Sequence, residues 1–218
     1  MSQLWDISPP VCAQSPVFPG DTAYTQRWNA SIGPGCPVNV SEITMSPHIG
    51  AHADAPLHYH PEGLAVGKLD LVPFLGPCRV VHALSGRPLI TIDDILPWLE
   101  GAPPRLLLRT CERANTDGWS NEFAAFAPET INFLAFRGTV LIGIDTPSID
   151  PATSKTLDSH QAIWRHDMRV LENLVLDHVP PGDYELIALP LALTDADASP
   201  VRAILRTLRA NPSSTKTT

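Results

Sequence analysis

The sequence has no run of lysines or arginines, and its 15 basic residues are outnumbered by 23 acidic ones, for a formal charge of −8. That balance lacks the basic footprint that holds a phosphate backbone, so nucleic acid is not an expected partner. No apolar run reaches the roughly 18 residues needed to cross a bilayer. The start, MSQLWDISPPV, has no charged stretch followed by an apolar one, so no signal peptide is expected and the protein is placed in the cytoplasm. The four cysteines, Cys12, Cys36, Cys78 and Cys111, lie far apart with no CxxC pair, which points to reduced thiols rather than a zinc or redox motif. No G-x-S-x-G elbow occurs, so a serine nucleophile finds no support. Cys36, Cys78 and Cys111 sit next to or near Pro, Arg or Glu, with no motif that places a histidine partner.

The 218 residues, 44 % hydrophobic and 17 % charged, suit one soluble domain with a sizeable core. Only the tail after Arg209, ANPSSTKTT at 210–218, has little to bury and is expected to be flexible. With 23 prolines, long helices are not expected. Residues 5–7, 12–17 and 38–46 read as extended, as do the apolar runs at 79–84, 105–109, 140–144, 185–192 and 201–206. Helices are expected after Thr91 through Leu99, over Pro128 to Phe136 with Gly138 just beyond, and over Ser159 to Arg165 capped by Ser159 or Asp158. The chain reads as a single α/β domain, richer in strand than helix.

The densest chemistry is HIGAHADAPLHYH at 48–60, which holds four of the eight histidines. A catalytic zinc takes three nitrogen or oxygen ligands from the protein and leaves a position for water. His48, His52 and Asp54 supply that set. Pro47, Gly50 and Pro56 argue against a regular helix that would carry the His48–His52 pair, and no glutamate stands between the histidines, so the HExxH protease pattern is not supported. A turn at Gly50 folds His48 back over His52 and Asp54 instead. His58 suits general acid–base work, or closes a structural site as a fourth ligand. His60 reads as an outer or surface residue. Taken alone, His160 reads as a helix-start residue and Glu172 as a solvated carboxylate. His82, His166 and His178 read as structural or surface residues, and Asp145 and Asp150 as loop caps.

The segment His48-Ile-Gly50-Ala51-His52-Ala-Asp54-Ala-Pro56-Leu-His58 resembles the H-x-G-T-H-x-D-x-P-x-H motif of the cyclase-like metal-dependent hydrolases, with Ala51 replacing a threonine that carries no ligand. WDISPPV at 5–11, VFPGDT at 17–22, GIDTPSID at 143–150, Asp158-Ser159-His160 and LENLVLD at 171–177 resemble the bacterial kynurenine formamidase branch of that family. The resemblance implies a swivelling β/β/α cyclase-like fold and two zinc ions per subunit. It places His48, His52 and Asp54 on one ion, and Asp54, His160 and Glu172 on the other. It makes His58 the proton donor and acceptor, puts Phe18 against an aromatic substrate, and implies a homodimer. The implied reaction is hydrolysis of N-formyl-L-kynurenine to L-kynurenine and formate in tryptophan degradation. A cyclase-like enzyme acting on isatin, a cyclic imide or another aryl amide is the rival within hydrolases. Manganese, cobalt or iron would also suit these ligands. A non-catalytic metal-binding protein, with a closed coordination sphere, is the rival of a different class.

Overall fold

A computed structural model of the chain describes residues 3–116 and 118–208, so the expectation for the tail at 210–218 falls outside the described residues. The short apolar runs bounded by Gly, Pro and Asp form strands. They are β1 (Leu4–Asp6), β2 (Thr25–Ala30), β3 (Val40–Thr44), β4 (His52–Asp54), β5 (Leu75–His82), β6 (Leu89–Ile90) and β7 (Arg105–Arg109). After them come β8 (Ala125–Phe126), β9 (Leu141–Ile144), β10 (Arg169–Glu172), β11 (Gly182–Ile187), β12 (Ala198–Pro200) and β13 (Ile204–Thr207). The α-helices are short: α1 (Pro56–Tyr59), α2 (Ile92–Ile95), α3 (Pro128–Phe136) and α4 (Asp158–Arg165).

Nine strands form one mixed sheet in the order β1-β13-β11-β5-β7-β9-β10-β4-β12. Its centre, β5-β7-β9-β10, is parallel, and the strands flanking it pair antiparallel. The central strands are buried on both faces, which is why they read as unbroken apolar runs. Successive side chains alternate between two cores. Leu107, Leu141 and Leu171 pack on one face with Phe74 and Leu205. Leu106, Leu108, Ile142 and Val170 pack on the other, beneath Ile131 and Leu134 of α3 and Ile163 of α4. Truncating Leu107 to alanine there costs about 2–5 kcal/mol. Gly143 in β9 is required by this packing, because a Cβ would stand 2.5 Å from Leu107 Cδ2.

The sheet curls back on itself. β12 and β13 lie seven strand steps apart in the order, a span of roughly 34 Å if flat. The three residues between them reach about 14 Å at most. Val201 and Ala203 close the gap, with Val201 N–H donating to Ala51 O and Ile7 N–H to Ala203 O, at 2.9 and 3.0 Å. These bonds bring the β4–β12 end of the sheet beside the β1–β13 end.

Local differences from expectation have physical causes. Residues 12–15 form a turn rather than a strand, closed by Ser15 N–H to Cys12 O and Cys12 N–H to Ser15 Oγ. Strand β11 ends at Ile187, ahead of Pro190, and 201–203 serve as the corner just described. The α2 turn carries the Thr91–Asp94 capping box but tightens to a 3₁₀ turn at Leu96–Trp98, where Pro97 has no N–H to give. Helix α3 has the expected bounds. Strands β2 and β3 form a separate hairpin.

Candidate metal centre and active site

Strand β4 carries the centre of the site, and the sheet register supplies its neighbours. Glu172 of β10 stands opposite His52, and Val170 opposite Asp54. Gly50, at φ +65°, makes the turn that returns His48 to the same place. His160 arrives on the first turn of α4. That helix begins after Leu157, which is in the left-handed region at φ 51°, and neither Asp158 nor Ser159 caps it. The Ser159 hydroxyl instead donates to Phe126 O at 2.8 Å. The cap comes from Asp150, whose two oxygens accept from the Ser159 and His160 N–H groups at 2.9 and 3.0 Å. A polar helix end is thereby satisfied inside the protein.

Asp54 is 1 % exposed, and its two oxygens face two groups of side chains. Oδ1 lies 2.9 Å from His48 Nδ1 and 3.4 Å from His52 Nε2. Oδ2 lies 3.2 Å from His160 Nε2, which is 3.5 Å from Glu172 Oε1. Glu172 Oε2 is 3.3 Å from His52 Nε2. The potential ligand atoms of His48, His52 and Asp54 lie within 4.8 Å of one another, as do those of Asp54, His160 and Glu172.

These contacts fit a cation better than they fit hydrogen bonds. Asp54 Oδ1 is buried and has no aligned hydrogen-bond donor despite the two ring nitrogens beside it. His52 Nδ1 is 2.8 Å from Gly50 O, and His160 Nδ1 is 2.7 Å from Asp150 Oδ2. A carbonyl or carboxylate oxygen only accepts, so both Nδ1 atoms carry hydrogen and both Nε2 atoms of the neutral rings present lone pairs. Those lone pairs face carboxylate oxygens, an arrangement that needs a positive charge between them. Ring orientation by a second hydrogen bond is typical of metal-holding histidines.

In the metal-free chain protons supply that charge. Burial opposes an imidazolium at His52, but hydrogen bonds with Asp54 and Glu172 override it and raise His52 to about 10. His160 is also raised, against its burial, by Asp150, Asp54 and Glu172. Burial pushes the Asp54 carboxyl up, and the surrounding histidines more than reverse this, holding it well below the ordinary range.

The cluster opens into a cavity of about 330 Å³. His58 lines it, partly exposed, with its ring centroid 4.3 Å from that of His48. Phe18 lines it too, 55 % exposed, and meets Trp119 edge-on at 5.1 Å. Phe123 continues this aromatic wall, 6.3 Å from Trp119. Lys155 also lines the cavity. His60 stands outside the cluster, stacked on Trp164 at 4.1 Å. His82 and His166 bond to Val179 O and Asn132 Oδ1, and His178 pairs with Asp177 on the surface. The four cysteines are free, and burial together with Asp145 pushes the Cys111 thiol up to about 12, which leaves it a poor nucleophile.

Sequence reasoning did not single out Trp119, Phe123, Lys155 or Asp197, and it gave Asp150 only the capping half of its work. The aromatic pair Trp119 and Phe123, set in the polar stretch 115–123, was the available signal. Asp197 had none. Its Oδ2 lies 3.0 Å from His48 Nε2 and 3.3 Å from His58 Nδ1.

Residues 5–151 match the family model described as "Putative cyclase". The chain is 67 % identical over 208 residues to the kynurenine formamidase of Bordetella petrii, covering 95 % of this chain and 100 % of that one. It is 65 % identical over 206 residues to the kynurenine formamidase of Delftia acidovorans, covering 94 % and 98 %. Among solved structures, a "predicted metal-dependent hydrolase" from Bacillus stearothermophilus superposes with a TM-score of 0.81 at 27 % identity, over 95 % of this chain and 100 % of that one.

Proposed function

This chain belongs to the cyclase family of hydrolytic enzymes, in its bacterial kynurenine formamidase branch, and from that membership we propose that it hydrolyses N-formyl-L-kynurenine to L-kynurenine and formate, in tryptophan degradation. The observation that carries this reading is Asp54. One buried carboxylate is shared between two groups of metal-type ligands at the floor of a cavity with an aromatic wall.

In this reading His48, His52 and Asp54 hold one divalent ion, and Asp54, His160 and Glu172 hold a second. The ion is zinc, although the donor set also suits manganese, cobalt or iron. When bound, it supplies Lewis acidity toward the formyl carbonyl and makes a nucleophilic water available near pH 7. The remaining work falls to the chain's own side chains. Water oxygen bonds to the formyl carbon, the carbon–nitrogen bond breaks, and His58 moves the proton from the water to the departing aniline nitrogen. Phe18, Trp119 and Phe123 receive the aryl ring, edge or face. Lys155 pairs with the carboxylate at the amino-acid end of the substrate.

The reading includes a homodimer in the cytoplasm. The β2–β3 hairpin supports the first part, since it exposes Trp28, Val40 and Ile43 at 60 %, 46 % and 52 %. The four free cysteines accord with the second. No described helix is long and apolar enough to cross a membrane.

A substrate panel tests the reaction. N-formyl-L-kynurenine, isatin, a cyclic imide and an N-acetyl aniline are compared by kcat/KM, with formate and aniline product both quantified. The formamide is expected to have the highest value. A higher kcat/KM for isatin or the imide overturns the assigned substrate.

A further inference from the structure

We propose that Asp197 is a positioning residue that sets two histidines of the site at once, His48 and His58. The proposal rests on the metal-holding and proton-moving roles given to them above. A single oxygen, Oδ2, reaches both rings, 3.0 Å from His48 Nε2 and 3.3 Å from His58 Nδ1. The rings lie side by side, their planes 49° apart.

The backbone fixes where this carboxylate stands. Ala55 N–H donates to Asp197 O at 2.9 Å, and Val66 N–H donates to Ala196 O at 2.9 Å. The next residue, Ala198, is in register opposite Asp54 on the β12–β4 pair. Asp197 is thus delivered to the rim of the site by the same strand pairing that places the shared aspartate. Among described residues it completes a third His and carboxylate group, His48, His58 and Asp197.

The chemistry follows from the carboxylate's being an acceptor only. Each neutral ring turns an N–H toward Asp197 and keeps its lone pair on the other nitrogen. For His48 the lone pair is then on Nδ1, the atom 2.9 Å from Asp54 Oδ1 on the ligand side. For His58 it is on Nε2, which becomes the basic nitrogen. One side chain orients a ligand for the metal and a base for the proton. A chance ion pair at a half-exposed position would contribute little, and its removal would go unnoticed.

The test compares D197A and D197N in the full chain, with a thermal melt to establish folding. The Asp197 side chain is 43 % exposed, so both variants are expected to fold. D197A is expected to lose about 10- to 100-fold in zinc affinity by chelator competition. At saturating zinc its kcat is expected to fall about tenfold or more. KM should shift less than about twofold, because Asp197 is not part of the cavity lining. D197N keeps one acceptor and should recover part of both losses. In an H58A background, adding D197A should lower kcat no further, since residues acting as a unit are not additive. Wild-type zinc affinity, wild-type kcat, or an additive double variant contradicts the proposal. An inactive wild type refutes the assigned substrate without touching this inference. Imidazole nitrogen NMR of His58 then takes the place of turnover, with the Nδ1–H tautomer expected in wild type and lost in D197A. An unchanged tautomer overturns the proposal.

Discussion

The Asp150 carboxylate holds His160 twice, accepting from its ring Nδ1 at 2.7 Å and from its backbone N–H at 3.0 Å. The first bond fixes the ring so that Nε2 faces Asp54 and Glu172, and the second caps the helix that carries the ring. Site and scaffold therefore meet in one side chain. Burial would raise the Asp150 carboxyl, but His160 overrides this and keeps it ionised below the ordinary range.

Replacing Asp150 by asparagine should weaken both functions. Zinc affinity is expected to fall about 10- to 100-fold, as for other residues that orient a ligand from behind. Asparagine keeps one of the two acceptor oxygens that cap α4, so the loss should stay below about 1 kcal/mol and Tm should fall by less than about 2–4 °C. Chelator competition and a thermal melt measure the two, and a D150N protein unchanged in zinc affinity contradicts the orienting role.

The metal-free chain should respond to pH in a defined direction. His52 has a folded value of about 10 against an ordinary 6.5, so its contribution to stability is complete below 6.5 and is lost as pH rises toward 10. His48 and His160 are raised and act in the same direction. Asp54 and Glu172 are lowered from 3.8 and 4.5, so theirs is complete above 4.5 and is lost in acid. The cluster is therefore most stabilising between pH 4.5 and 6.5 without metal. Added zinc displaces those protons, so the rise in Tm on adding zinc should grow as pH increases above 6.5. A zinc increment that stays constant over that range contradicts the assigned protonation.

Lys155 should distinguish substrates by charge. K155A is expected to raise KM for N-formyl-L-kynurenine about two- to fivefold, the size of an exposed ion pair. It should leave KM for N-formylaniline, which has no carboxylate, unchanged. Equal effects on the two substrates remove Lys155 from substrate recognition.

Phe18 should act on binding rather than on the metal. F18A is expected to lower kcat/KM about three- to tenfold, in line with an aromatic contact of about 0.5–1.5 kcal/mol. Phe18 is 55 % exposed, so Tm and bound zinc should remain at wild-type values. Loss of zinc in F18A contradicts this assignment.

What the sequence disclosed follows from how the site is assembled. His48, His52, Asp54 and His58 lie within one turn–strand–helix segment, so their spacing carries the chemistry. His160 and Glu172 join them only through the β4–β10 register and the docking of α4, which no local pattern encodes, and only the family resemblance pointed to them. Asp197 reaches the site only through the β12–β4 pairing and gave no local signal. Helix α3 was legible because Pro128 and Gly138 punctuate it locally, whereas the start of α4 was misread because its cap comes from Asp150, eight residues before Asp158.

The most direct test of the account is turnover of N-formyl-L-kynurenine by protein stripped with a strong chelator and shown by elemental analysis to be metal-free. Activity should vanish and return on adding zinc, with up to two ions bound per chain, and D54N should bind neither ion tightly nor recover. Full activity in the metal-free protein would contradict the metal site built around Asp54.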